Sequence, residues 1–492
     1  MKILVATGHL AEDTVRGSVG SSADIVVIDT DVAAFITPHR LLHAIKEQYP
    51  TTSFNMILVP GLVSGDFSGI ADGLDCKIYL GPKHAYDLGF AISFADKVEF
   101  STQIPACELL SDVRRDMALK TVADIEENAR ARISIGNRKI GGGSRMKVLV
   151  EVVDATGLSD HELVRTITSF IQKGADMIDL GASLGATTDD VERAVTVARQ
   201  CSSVPISIDT LEPDLIISAI ETGIDLVLSL NGTNIDRIGE MVARSGIPVV
   251  IISDNTHDPD SLIRNIVDAR SLGITNIIAD PVLDPIGYDI VGSILRYQQF
   301  HEEYPDIPLF FGVGNVSELI DADSIGVNAV LCGIAADVGA SILFTPEYST
   351  KTQGSIGELA TASNMMVLAA LRDSSPKDLG IDLLTVKEKR RRPDIPMPKD
   401  FIEARSNDNW QLDPAGAFRI GIVPDGGKGT GLIVAKHEKV SIVGRSADEV
   451  LDTIIGMELV SRLEHAGYLG QELARAELAL KLNRSYSQDD DL

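Results

Sequence analysis

Between residue 147 and about residue 372 the chain repeats one pattern: a short apolar run, a polar turn, then an amphipathic stretch. The repeat is about 25 to 30 residues long. The runs are Lys147–Val153, Met177–Leu180, Ile206–Ile208, Leu226–Leu230, Val249–Ile252, Asn276–Ala279, Leu309–Gly312 and Ser341–Phe344. Stretches such as Asp189–Gln200 and Leu262–Leu272 have helical spacing. Near-continuous apolar runs suit strands buried on both faces of a parallel sheet. Parallel strands need a crossover, and a helix supplies it. Eight such units in this length predict a (β/α)8 barrel. Val327–Cys332 is apolar enough for a strand, but Ala-rich spacing through Val338 predicts a helix before Ser341.

The flanks read differently. Residues 1–140 carry the runs Ile3–Ala6, Ile25–Ile28, Met56–Val59 and Cys76–Leu80, each bounded by Gly, Pro or Asp. They predict a three-layer α/β domain. This region has no GxGxxG and no GxxxxGK[ST] pattern. Gly141-Gly142-Gly143 is read as a hinge leading to the barrel domain, residues 147–372. Residues 408–492 predict a small α+β module. Its runs Phe418–Ile422 and Gly431–Ala435 flank the turn Asp425–Thr430 as a β-hairpin would. That turn has Gly429 after Lys428 where a phosphate loop needs Ser or Thr. A long helical pattern over Ala447–Leu480 is expected to break at Gly467, and the tail Asp489-Asp490-Asp491 to fray. The run Lys387-Glu388-Lys389-Arg390-Arg391-Arg392-Pro393, with Pro396 and Pro398 after it, is either a solvated linker or an anion-recruiting patch.

Composition narrows the function. No apolar run reaches the 18 or so residues of a membrane span, and no secretory signal is legible at the N-terminus. The four cysteines, Cys76, Cys107, Cys201 and Cys332, are scattered and have no CxxC spacing. Reduced, cytoplasmic life is the expectation. The net charge of −27 disfavours a nucleic-acid binder, which needs a basic field. It also means that an anionic substrate would need local cations.

In a barrel of this kind the working residues stand at the C-terminal ends of the strands. Those positions hold Asp154, Asp179, Asp209, Ser229 with Asn231, Asp254, Asp280 with Asp284, Asn315, and Thr345–Tyr348. The set is rich in Asp and Asn and has no His. Three readings remain open. The carboxylates could hold a hard divalent cation. They could cap the following helices. They could bind a heterocycle that presents several N–H donors.

Val204-Pro205-Ile206-Ser207-Ile208-Asp209-Thr210 with Glu212-Pro213, Gly174-Ala175-Asp176-Met177-Ile178-Asp179-Leu180-Gly181, and Ile278-Ala279-Asp280-Pro281 with Gly287 resemble, in order and spacing, the strand-3, strand-2 and strand-6 signatures of the pterin-binding family. That family includes dihydropteroate synthases and pterin-dependent corrinoid methyltransferases. The whole chain, with its end modules, resembles archaeal dihydropteroate synthase-like proteins. The resemblance implies that Asp280 takes the amino-pyrimidine edge of a reduced pterin. It implies that Asp209 and Asn231 take the other ring positions, with Ser229 as the fallback for Asn231. A carboxylate accepts two hydrogen bonds in a fork from such an edge.

The departures matter too. The loop Ala182–Thr188 has neither the Arg nor the Pro of the synthase loop. Gly314-Asn315-Val316-Ser317 stands where the synthases have Ser-Arg-Lys, and Thr345–Tyr348 where they have Arg-x-His. Lys351 and Arg145 are the candidate substitutes for anion binding. Gly312-Val313-Gly314-Asn315-Val316-Ser317 resembles instead the strand-7 motif of the methyltetrahydrofolate-binding methyltransferases, whose Asn bonds near the methyl-bearing nitrogen.

Two reactions follow from the resemblance. One condenses a hydroxymethyl-dihydropterin pyrophosphate with an arylamine, such as the ribosylated aniline of methanopterin biosynthesis. Mg²⁺ would then be held in part by Asp154, the counterpart of the family's strand-1 residue. The other transfers a methyl group from a methylated pterin, aided by Asn315, to a corrinoid protein or another acceptor. Asp154 and Asn315 are thus the catalytic candidates. A pterin carrier without turnover is the third class, and a homodimer is expected from the family.

Overall fold

The computed structural model describes residues 1–490 apart from residues 75, 256, 257, 259, 388–397, 399, 406–410 and 425–430. The basic run from Glu388 to Pro393, Pro396 and the turn Asp425–Thr430 therefore lie outside the described residues. The chain divides into two compact units, Met1–Lys120 and Thr121–Leu492.

The first unit holds four parallel strands: β1 Ile3–Thr7, β2 Asp24–Val27, β3 Met56–Val59 and β4 Lys77–Leu80, in the order β2-β1-β3-β4. Helices Glu12–Val19 and Leu88–Ser93 cover one face, where Val5, Leu58, Val15 and Leu88 form one core. Helices Pro38–Gln48 and Ser68–Leu74 cover the other, where Ala6, Val59, Leu41 and Ile70 form a second. This is the three-layer arrangement expected from the sequence.

The second unit begins with a surprise. Two three-residue strands, β5 Ile133–Ile135 and β6 Arg138–Ile140, form a hairpin. Ile133, Ile135 and Ile140 are buried against Leu149, Met177, Leu226, Val250, Ile278, Phe310 and Ile342, the inward residues of the barrel. Burying each isoleucine contributes roughly 1.5–3 kcal/mol. The Gly-rich stretch read as a hinge is thus a fixed turn of this plug. Gly142 has φ +67°, and a Cβ there would stand 1.6 Å from the Arg130 carbonyl oxygen.

The barrel itself is closed and parallel: β7 Lys147–Val152, β8 Met177–Gly181, β9 Ile206–Asp209, β10 Leu226–Leu230, β11 Val249–Ile252, β12 Ile277–Asp280, β13 Leu309–Gly312 and β14 Ala340–Thr345, with β14 pairing back to β7. All eight expected strands form, and Ser324–Asp337 is the helix expected before the last. The crossover helices have sequence-coded ends. Ser159 with Glu162, and Thr187 with Asp190, make capping boxes. Gly174 and Gly223 end two helices in the left-handed region, at φ 110° and 107°.

After each of those glycines comes x-Asp and a strand. Asp176 accepts from the Val148 N–H at 2.9 Å and Asp225 from the Ile206 N–H at 2.8 Å. These carboxylates tie down the N-terminal end of the barrel.

Three antiparallel strands follow: β15 Arg419–Pro424, β16 Gly431–Lys436 and β17 Ser441–Gly444. They are backed by helices Ala447–Gly456 and Leu463–Lys481. The helical pattern therefore breaks at 457–462 and runs through Gly467. There Asp413 accepts from the backbone N–H groups of Ser461 and Arg462 at 2.9 and 2.8 Å, just before the second helix. Burial works to raise the Asp413 carboxyl, but these bonds and the Ser461 hydroxyl outweigh it and hold the group well below the usual range. The tail is not frayed at Asp489, which accepts from the Tyr468 hydroxyl at 2.7 Å and donates its N–H to Glu472.

Candidate active site

Inside a barrel every second residue of a strand points inward. Register pairs Glu151 with Asp179, Asp179 with Ser207, and Gly181 with Asp209. One layer above the apolar residues Leu149, Met177 and Ile278, the C-terminal mouth therefore carries Glu151, Asp179, Asp209 and Asp280. Ligand atoms of Glu151, Asp179 and Asp209 lie within 4.8 Å of one another. Gly181 makes the room, since a Cβ there would stand 2.6 Å from Glu151 Oε1.

These carboxylates are poorly satisfied. Asp179 is fully buried; one oxygen accepts from the Ser207 hydroxyl and Oδ2 has no partner. No described residue donates a hydrogen bond to the Glu151 or Asp209 side chain. Asp280 is buried, and its Oδ1 accepts from the Val282 N–H at 2.8 Å and the Tyr297 hydroxyl at 2.5 Å. Its second oxygen faces no described donor.

Burial and mutual repulsion raise the whole set. Glu151 is pushed up to about 7, first by burial and then by the charges of Asp209 and Asp154. Asp209 is pushed up to about 6 by burial and by Asp280. Asp280 also reaches about 6, burial outweighing the bonds from Tyr297 and Val282. Asp179 is driven well above the ordinary carboxylate range by burial, then by Asp209 and Glu151. Strongly shifted carboxylates that converge at the strand ends point to a binding or reaction site.

The other expected residues fall into three groups. Asn231 is buried at the end of β10; its Oδ1 accepts from the Thr233 N–H and hydroxyl, at 3.0 and 2.6 Å, while Nδ2 has no described partner. Asn315 is exposed on the one-turn helix Gly314–Ser317, and its Nδ2 donates to the Leu283 carbonyl at 3.0 Å. Ser229, the fallback for Asn231, is buried beside it on β10. Asp154 is exposed beyond the end of β7 with φ +53°, and its carboxylate is not one of the three that converge.

Both proposed anion binders have carboxylate partners, a buried one for Arg145 and an exposed one for Lys351. Arg145 stands at the opposite end of the barrel, before β7, in a two-bond pair with Asp176 at 2.8 and 2.6 Å. Lys351 pairs with Asp321 at 2.8 Å. Asp254 and Asp284 are structural too: Asp254 accepts from Gly232 N–H and Asn265, and Asp284 pairs with Arg296.

Sequence reasoning missed Glu151 and Tyr297 and left Asp179 without a role. Glu151 lies within an apolar run, yet Leu149-x-Glu151 repeats the spacing of Met177-x-Asp179 and Ile278-x-Asp280. That alternation is a usable signal. Tyr297 reaches Asp280 from helix Ile290–Glu303 and has no local signature.

The model of the family described as pterin binding enzyme matches residues 154–343. An uncharacterized protein of Methanocaldococcus jannaschii is 36% identical over all of this chain and 99% of its own length. The chain belongs to the pterin-binding family. A second model, PterinBD-DUF4346, matches residues 412–489. Among solved structures, a Yersinia pestis dihydropteroate synthase with a pterine-sulfa conjugate is 18% identical, with a TM-score of 0.37, over 47% of this chain and 95% of its own. The Vibrio fischeri 7,8-dihydropteroate synthase is 18% identical, with a TM-score of 0.39, over the same shares. Among the described residues no helix is long and apolar enough to cross a membrane.

Proposed function

We propose that the barrel binds a reduced pterin at the carboxylate ring and acts as a dihydropteroate synthase-like transferase. The observation that carries this is the set of unpaired carboxylate oxygens at the mouth, on Glu151, Asp179, Asp209 and Asp280. A pterin edge supplies N–H donors for the free oxygens of Asp209 and Asp280. Asp280, braced by Tyr297, takes the amino-pyrimidine edge through its free oxygen. Asp209 accepts from the remaining ring N–H, and the Asn231 amide donates to a ring acceptor.

In the condensation, the arylamine nitrogen bonds to the methylene carbon of a hydroxymethyl-dihydropterin pyrophosphate. The carbon–oxygen bond to pyrophosphate breaks, and the amine loses a proton. The leaving group is anionic, and Arg193 and Arg296 already have carboxylate partners in Asp160 and Asp284. A hard divalent ion fits the chemistry of Glu151, Asp179 and Asp209, whose oxygens are the ligand type Mg²⁺ prefers. The orphaned Asp179 oxygen supports that fit. Bound there, Mg²⁺ would supply the positive charge that the leaving pyrophosphate needs. This reading moves the metal role from Asp154 to its neighbour Glu151.

A second reading is favoured by Asn315. Its amide is oriented by Leu283 and stands over Gly312 at the end of β13, with Oδ1 unpaired among the described residues. There it would accept a hydrogen bond near the pterin nitrogen of a methyl donor, with a corrinoid protein as partner. A carrier without turnover is the remaining class.

Calorimetric titration separates them. One ligand is hydroxymethyl-dihydropterin pyrophosphate with Mg²⁺; the other is a methyl-tetrahydropterin. Tight binding of the first alone supports condensation. Tight binding of the second alone transfers the conclusion to methyl transfer. If the folded protein binds neither, the pterin assignment of this mouth fails.

A further inference from the structure

The first unit contains a cavity of about 180 Å³. It opens to solvent past the half-exposed Val32 and Leu62, and its depth needs an account. The sheet order β2-β1-β3-β4 makes β1 and β3 neighbours whose outgoing chains turn to opposite faces. β1 leads to helix Glu12–Val19, packed in the core with Leu58; β3 leads to helix Ser68–Leu74, packed in the core with Ala6. Such a divergence opens a crevice at the carboxyl ends of the strands, where open α/β sheets take their ligands. Residues of β1 and β3 from both cores line this cavity, and Ala11, Ala33, Ala34 and Ala85 are small enough to keep it open.

The rim is built rather than loose. His9 and Leu10 donate their N–H groups to the Thr30 and Asp31 carbonyls at 2.9 and 3.1 Å. Gly61 donates to the Pro82 carbonyl at 3.1 Å, and Gly81 to that of Val59 at 2.7 Å. A Cβ on Gly61 would stand 2.5 Å from the Gly81 carbonyl oxygen, so only glycine allows this closure.

The same bonds say what the site does not bind. The amides that would cradle a phosphate are already used, and Glu12 and Asp13 fill the first turn of the helix after β1. The one charged lining residue, Lys83, is paired with Glu108. Thr7 is the other polar lining residue, and its hydroxyl donates to the Gly8 carbonyl.

We propose that this switch-point cavity is a second ligand site, for an uncharged, largely apolar ring of benzene to indole size. An apolar cavity of roughly 150 Å³ is known to stay dry and accept benzene.

The test titrates the full-length protein with indole, benzoate and inorganic phosphate, by calorimetry and ligand-observed NMR. Indole should bind, and benzoate and phosphate should bind at least about tenfold more weakly. Ala11→Leu and Ala33→Leu fill the cavity from walls that pack on the two different cores. Each should weaken indole at least about tenfold and leave the melting temperature equal or higher, because filling a void adds contacts. A misfolded variant would melt lower, so the second variant guards the reading of the first. The proposal is overturned if indole does not bind, if both folded variants bind it unchanged, or if either anion binds more tightly.

Discussion

Asp176 and Asp225 stand at one end of the barrel, and Asp179, Asp209 and Asp280 at the other. The first pair satisfy strand N–H groups and pair with Arg145 and Arg199. The second group each keep at least one oxygen without a described donor, and their charges crowd one another. Asp280→Asn should therefore lower pterin affinity about 10- to 100-fold, the worth of a charge-assisted bond; unchanged affinity by calorimetry would remove Asp280 from the site. Glu151 makes a pH prediction with a definite sign. Its folded-state acid is raised from 4.5 to about 7, so the folded protein holds this proton longer than the unfolded chain. Below about pH 4.5 both states are protonated and nothing is lost. Between that pH and 7 stability falls, and above 7 the full cost of roughly 3 kcal/mol stays. Glu151→Gln should melt several degrees above the parent at pH 8 and level with it at pH 4. Mg²⁺ should raise the parent's melting temperature at pH 8 and leave the Gln variant nearly unmoved. Asp209 and Asp280 were legible because they close family motifs at strand ends. Arg145 was misread because its partner, Asp176, is 31 residues away. Charge pairing at that separation is set by the fold.

At the scale of elements, the strands were legible because each is an apolar run stopped by Gly, Pro or Asp. The β5–β6 hairpin was not, because three-residue strands offer no period to count. Its Gly-rich turn looked like slack chain and is instead the tightest backbone approach in the barrel unit. Gly142→Ala should cost several kcal/mol, since the added carbon meets backbone. Gly143→Ala, with nothing within 4 Å, should cost only the roughly 1–2 kcal/mol of its left-handed conformation. Equal losses in chemical denaturation would show that the plug does not hold that turn. The misplaced helix break has a similar cause. Gly467 weakens a helix by about 1 kcal/mol, but Leu469 and Leu473 are fully buried beside it and hold the helix together.

For the whole molecule, contacts divide at Lys120 and Thr121, within the helix Ser111–Asn128. A fragment from Ser111 to the C-terminus should keep the parent's pterin affinity to within about a factor of two, as a compact unit with its own core should. A fragment that folds but binds tenfold more weakly would show that the first unit shapes the mouth. The net charge of −27 makes the docking of an anionic pterin pyrophosphate depend on cations in the medium. The isoleucine plug has a kinetic consequence. With Ile133, Ile135 and Ile140 sealing its floor, the barrel is a well and not a tunnel. If the proposed condensation holds, the pterin against the carboxylates would enter first and leave last, with the second reactant above it. Initial-rate kinetics should then be ordered, with excess second substrate trapping the first.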